Sequence, residues 1–207
     1  MVDVRRTFLV STLFLLAAFP LVAAEKPLLI CYGDSITAGY NLAESQAYPA
    51  ALQLDLDRLG YHYRVKNMGT SGATTKDAIE GLHSVIDLHP SVVIVEFGGN
   101  DGLRGLPLVQ TRHNLDTVLK ALTAAHIHVL LAGITLPPNY GPDYIQQFDE
   151  TFRDLAAMHH VAFVPMIYKD LIHQPGTIQP DGIHPTAKGS AILAETLLTG
   201  LRPLLKK

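Results

Sequence analysis

Five residues far apart in the chain have the chemistry of one acyl-transfer centre. Ser35, in Gly33-Asp34-Ser35-Ile36, carries a hydroxyl that becomes a nucleophile only when a base takes its proton. Asp181-Gly182-Ile183-His184-Pro185 offers a base with its own orienting carboxylate. Its three-residue spacing lets Asp181 reach the Nδ1–H of His184 and leaves Nε2 free to accept a proton from Ser35. Gly182 permits the turn, and Pro185 marks the start of a helix. Gly72, in Thr70-Ser71-Gly72-Ala73, can present its backbone N–H with no side chain in the way. Asn100, in Gly98-Gly99-Asn100-Asp101-Gly102, can offer a carboxamide N–H. Both suit a developing oxyanion. Taken singly, each string reads more simply as a turn or a helix cap. Their conjunction is the signal. A phosphate loop is a poor alternative for Gly98 and Gly99, because neither Gly-Lys-Ser/Thr nor G-x-G-x-x-G is present.

These residues need a scaffold that brings distant loops to one edge. Apolar runs at 28–32, 61–66, 91–97, 128–133 and 161–164 read as strands. Val92, Val93, Ile94 and Val95 form a run suited to burial on both faces, as in a parallel sheet. Amphipathic stretches at 48–59, 74–88, 108–125, 142–158 and 185–198 read as helices. The alternation predicts one three-layer α/β/α domain over 25–207 with a mostly parallel five-stranded sheet. Ligands in such sheets bind beyond the carboxyl ends of the strands. The loops after Tyr32, Lys66, Phe97, Gly133 and Val164 are therefore where a site is expected.

The order and spacing of Ser35, Gly72, Asn100 and His184 resemble the four blocks of the SGNH (GDSL) hydrolase superfamily, over essentially the whole chain after its leader. The string Gly98-Gly99-Asn100-Asp101-Gly102-Leu103-Arg104-Gly105 is similar to its bacterial thioesterase I, lysophospholipase L1 and arylesterase branch. The resemblance implies a flavodoxin-like SGNH fold. It also implies Ser35 as nucleophile, His184 as general base and Asp181 as its partner. The oxyanion hole would be the Ser35 and Gly72 backbone N–H groups with the Asn100 side chain. The implied activity is hydrolysis of small acyl esters, aryl esters, acyl thioesters or lysophospholipids, with no cofactor. A carbohydrate esterase or acyltransferase could use the same site. A non-catalytic lipid- or glycan-binding module is the alternative from another class.

The chain has 207 residues, of which 48% are hydrophobic, and a formal net charge of -3. Nucleic acid is not an expected partner, since there is no basic stripe. One cysteine excludes an intrachain disulfide and any multi-cysteine metal site. Cys31, in the first strand, is expected to be buried and inert. The hydrophobic excess sits at the front. Arg5 and Arg6 precede an uncharged apolar run from Phe8 to Val22, and Ala23 and Ala24 follow. Residues 1–24 therefore read as a signal peptide. The run is short for a membrane span, which needs about 20 residues, although an uncleaved anchor is the alternative. A lipoprotein site at Cys31 is disfavoured by the bulk of Ile30. The mature protein is expected to be exported, periplasmic or secreted, monomeric and without a membrane span.

Tyr40, Leu103, Leu106 and Pro107 lie near the expected site and are candidates for an acyl-chain groove, with plain packing as the alternative. Asp34 and Asp101 are expected to brace loops. No metal site is expected. His126 and His128, like His159 and His160, have no acidic partner at ligand spacing. Pro137 and Pro138 begin a stiff loop that could rim a substrate entrance.

Overall fold

The computed structural model describes residues 25–207, so the expected leader at 1–24 lies outside the described residues. Five parallel strands form one sheet in the order β2-β1-β3-β4-β5: β1 (Leu28–Gly33), β2 (Arg64–Gly69), β3 (Val92–Glu96), β4 (His128–Ala132) and β5 (Ala162–Val164). The order reverses between β1 and β3, which opens a crevice at their carboxyl ends.

Strand periodicity explains the three layers. Leu28, Ile30, Tyr32, Val93, Val95, Val129 and Leu131 point into one core. There they meet α3 (Thr75–Ile86), α5 (Leu108–Ala124) and α6 (Pro142–His159). Their neighbours Leu29, Cys31, Val92, Ile94, Leu130 and Ala132 point into the other core. Those pack on α2 (Tyr48–Arg58) and α7 (Ala187–Leu201). Successive side chains of a strand face opposite ways, so a central strand between two helical layers must be apolar at every position. Cys31 is fully buried, and burial pushes its thiol up to about 12, so it packs rather than reacts.

Two elements differ from expectation. The edge strand is placed three residues later than 61–66, because its register with β1 pairs Leu28 with Arg64 and Gly33 with Gly69. Tyr61 instead closes the end of α2, its N–H donating to Leu56 O at 2.9 Å. The last helix starts at Ala187 rather than Pro185, because the Thr186 hydroxyl is the cap and accepts from Gly189 N at 3.2 Å. Two further short helices, α1 (Ser35–Ala38) and α4 (Gly99–Leu103), stand where loops were expected. Among the described residues no helix is long and apolar enough to cross a membrane.

Candidate active site

Ser35 opens α1 directly off the end of β1. The close turn depends on Gly33. Its φ is not in the left-handed region; what it needs is the absence of a side chain, because a Cβ there would collide with Thr37 Oγ1 and Glu96. Asp34 caps the helix, its Oδ1 accepting from Ile36 N at 2.9 Å. This leaves the Ser35 hydroxyl at the sheet edge, 2.8 Å from Nε2 of His184.

The histidine comes from residues 181–185, ahead of α7. Gly182 adopts φ 74°, a left-handed conformation that suits glycine, and its N–H donates to Gln179 O at 3.0 Å. Asp181 Oδ1 accepts from the backbone N–H groups of Ile183 at 2.9 Å and His184 at 3.0 Å. Its Oδ2 lies 2.8 Å from His184 Nδ1. Burial disfavours the Asp181 charge, but the bonds from Ile183 N, His184 Nδ1 and His184 N outweigh it and hold the carboxyl below its usual range. An ionised Asp181 can only accept, so Nδ1 carries the proton and Nε2 accepts from the Ser35 hydroxyl. The Tyr40 ring lies against the imidazole with centroids 4.5 Å apart. Gln179 Nε2 ties Tyr40 O and Pro185 O together at 2.8 Å each, and Tyr168 donates to Ile183 O at 2.8 Å.

Gly72 and Asn100 face the same crevice. Gly72 sits in the loop after β2 at φ 82°, with Arg104 donating to its carbonyl at 2.8 Å. Asn100 lies in the first turn of α4, and its Nδ2 donates to Asp34 Oδ2 at 3.1 Å and to Ala73 O at 2.9 Å. Asp101, next to it, points away. Its carboxylate accepts from Thr75 N at 2.9 Å, from the Thr75 hydroxyl at 2.5 Å and from the Thr111 hydroxyl at 3.3 Å. It therefore ties α4 to α3 and α5. Both aspartates brace the loops.

Asp34, Ser35, Tyr40, Gly72, Asn100 and His184 line a cavity of about 250 Å³ together with Leu103, Ile134 and Ile183. A second, more apolar groove of about 370 Å³ shares Gly99, Leu103, Ile134 and Ile183 with it and continues past Leu136, Pro137, Pro138, Met166 and Ile172. Of the four residues expected to contact substrate, Tyr40 and Leu103 line these spaces. Leu106 and Pro107 line neither and sit exposed on the turn before α5. Sequence reasoning missed Ile134, Leu136 and Ile183; the signal for Ile134 was its place just beyond β4. It also missed Glu96, a fully buried carboxyl behind the site. His159 pairs across the α5–α6 contact, with Nε2 2.7 Å from Asp116 Oδ1. Among the described residues no group of three or more His, Cys, Asp or Glu is placed to hold a metal ion.

A serine, a histidine and an ionised aspartate in one hydrogen-bonded line, facing N–H donors across an apolar crevice, can carry out acyl transfer. Known proteins agree with this chemistry. Residues 31–192 match the model of the GDSL-like lipase/acylhydrolase family. Esterase TesA of Pseudomonas aeruginosa is 39% identical over 201 residues, covering 97% of this chain and 100% of that protein. Thioesterase 1/protease 1/lysophospholipase L1 of Escherichia coli K12 is 35% identical over 184 residues, 88% of this chain and 87% of the relative. A crystal structure of TesA superposes with a TM-score of 0.83 at 40% identity, covering 86% of this chain and 99% of that one. The chain belongs to the GDSL-like lipase/acylhydrolase family and is an SGNH-type serine ester hydrolase.

Proposed function

We propose that the protein hydrolyses acyl esters and thioesters through an acyl-enzyme on Ser35. The observation that carries this reading is the continuous line Ser35 Oγ, His184 Nε2, His184 Nδ1, Asp181 Oδ2, with both contacts at 2.8 Å. His184 takes the hydroxyl proton as Ser35 Oγ attacks the carbonyl carbon. Asp181 stabilises the imidazolium that forms. The tetrahedral oxyanion is held by the Ser35 and Gly72 N–H groups and by Asn100 Nδ2. His184 then gives its proton to the departing alkoxide or thiolate. Water, deprotonated by the same nitrogen, releases the acid from Ser35 and restores the hydroxyl.

Both N–H bonds of the Asn100 amide are engaged in this state. One must be exchanged for the oxyanion. The bond to neutral Ala73 O is the weaker of the two, since a carboxylate makes the stronger acceptor. The groove along Leu103, Ile134, Leu136 and Met166 supports an acyl chain as the part of the substrate that is bound. The names of the two relatives, an esterase and a thioesterase/lysophospholipase, support oxygen esters, thioesters and lysophospholipids as the substrate class. A panel of p-nitrophenyl esters and acyl thioesters of increasing chain length tests the reading. Turnover that depends on Ser35 and rises with chain length until the groove is filled is expected. Absence of turnover on the whole panel overturns it.

Residues 1–24 support export, with cleavage near Ala24 and a periplasmic or secreted mature protein. Sequencing the amino terminus of protein recovered from a periplasmic extract or culture medium checks this. A mature terminus at or close to Glu25 is expected, and an intact Met1 in the cytosolic fraction overturns it.

A further inference from the structure

We infer that Arg104 is a positioning residue of the oxyanion hole: its guanidinium holds the Gly72 turn to α4 while the Asn100 amide turns toward the oxyanion. The inference rests on the acyl-enzyme reading above, which gives Arg104 no part. Residues 70–73 form a tight turn, closed by Ala73 N donating to Thr70 O at 3.1 Å. Gly72 stands third in it at φ 82°, and Ser71 before it does not have a positive φ, which is the pattern of a type II turn. No acceptor among the described residues takes the Gly72 N–H, which leaves it available to an oxyanion. Glycine is also the least restrained residue in its backbone. The aim of this N–H therefore depends on what holds the turn from outside.

Two side chains of α4 reach its carbonyls. Asn100 Nδ2, in the first turn of that helix, donates to Ala73 O at 2.9 Å, and Arg104, at its carboxyl end, donates from Nη2 to Gly72 O at 2.8 Å. The two bonds are not equivalent in the reaction. The Asn100 bond to Ala73 O is given up when that N–H meets the oxyanion. The Arg104 bond stays, and ties the turn to α4 at the moment when both donors must point at one oxygen. Its donor is charged, which makes it the stronger kind of bond. It is also the only hydrogen bond of the guanidinium among the described residues, so no second acceptor draws Arg104 away. A Cβ added at Gly72 would lie 3.6 Å from the same nitrogen, so the guanidinium sits against the turn. The root of this latch is fixed. Tyr140 donates to Leu103 O at 2.8 Å, Leu106 N to Asp101 O at 2.9 Å and Arg104 N to Asn100 O at 3.2 Å. The buried Asp101 carboxylate binds α4 to α3. One short helix thus carries one oxyanion donor, Asn100, and steers the other, Gly72.

Two measurements test the latch, and the exposed position of Arg104 lets both be made on folded variants. Arg104→Met keeps the stem and removes the donor; Arg104→Lys restores a charged donor. On an uncharged p-nitrophenyl ester, with chemistry limiting, the Met variant is expected to lose about 10- to 100-fold in kcat, with KM changed less than about threefold. The loss is smaller than for outright removal of a donor, because the Gly72 N–H is still present but no longer held in aim. The Lys variant is expected to recover most of it. Unchanged kcat in Arg104→Met, or the same loss in both variants, overturns the latch. So does a rise in KM confined to an acyl-coenzyme A thioester, which would mean that the guanidinium binds substrate phosphate instead. The second measurement needs no turnover. The backbone amide order parameter of Gly72, from NMR relaxation, is expected to fall in Arg104→Met and to return in Arg104→Lys. An unchanged order parameter overturns the latch. Wild-type turnover that survives Ser35→Ala would instead strike the acyl-enzyme reading, and the order parameter would still decide whether Arg104 holds the turn.

Discussion

The Ser35 hydroxyl and His184 Nε2 are 149 residues apart in the chain and 2.8 Å apart in space. Nothing local creates this contact. Ser35 is delivered by the carboxyl end of β1, at the point where the strand order reverses, and His184 by a turn that Gln179 and Tyr168 hold against the same edge. Because separate elements deliver the two side chains, removing either one is expected to leave the fold intact.

Ser35→Ala is expected to abolish ester hydrolysis, by about 10⁴-fold or more, while the thermal transition moves little. An organophosphonate should label the wild type at Ser35 and leave the variant unmodified. Retention of more than a few per cent of activity would remove Ser35 from its role.

Asn100→Ala tests the oxyanion donor. The expected change is a fall in kcat of about 10²–10³ with KM little affected. The same substitution also frees Asp34 Oδ2 and Ala73 O, so a modest loss of stability accompanies it. A rise in KM at constant kcat would place Asn100 in substrate binding instead.

Asp181 is held ionised by Ile183 N, His184 Nδ1 and His184 N against the effect of its burial. A carboxyl with a lowered folded value stabilises the fold above its unfolded value and loses that contribution as pH falls through the folded one. Asp181 therefore stays charged above its lowered folded value. Asp181→Asn is expected to lower kcat by about 10⁴ through loss of the productive tautomer. A variant rate within about tenfold of the wild type would remove Asp181 from its orienting role.

Much of this architecture is legible in the residues themselves. β3 and β4 stand out because Val92–Glu96 and residues 129–132 are buried on both faces, which leaves no polar stripe to confuse the period. The edge strand is harder. Tyr61, Tyr63 and Val65 alternate like a strand, but pairing with β1 selects Arg64–Gly69, including Asn67 and Met68, whose side chains carry no clear apolar period. The short helices at Ser35–Ala38 and Gly99–Leu103 span about one turn each, too little for a helical repeat to show. Asp181 and His184 are readable because both lie in one turn. Glu96 is not, because Asp34 and Thr37 meet it only once the chain is folded.

Gly33→Ala is expected to be disproportionately harmful for one methyl group. A Cβ would overlap Thr37 Oγ1 and two oxygens of Glu96, and the backbone carrying Ser35 would have to shift. Overpacking of this kind costs about 1–3 kcal/mol, and a displaced nucleophile loses activity as well. Chemical denaturation together with kcat measures both effects. A variant with wild-type stability and rate would show that the turn has slack the packing does not reveal.

Glu96→Gln carries a pH signature in stability. Burial raises the folded value of Glu96 above its unfolded one, near 4.3 for an ordinary glutamate. Below that pH both states hold the proton and the group contributes no pH dependence. Above it the unfolded chain releases the proton while the fold retains it, so the folded state binds more protons and its stability decreases as pH rises. The slope approaches about 1.4 kcal/mol per pH unit, until the folded carboxyl itself ionises. Glutamine does not titrate and lacks this slope. The variant is therefore expected to gain on the wild type steadily as pH is raised from about 4 toward neutrality, in paired urea or thermal melts. A gap that stays constant, or that widens in favour of the wild type, would mean that Glu96 is charged inside the fold.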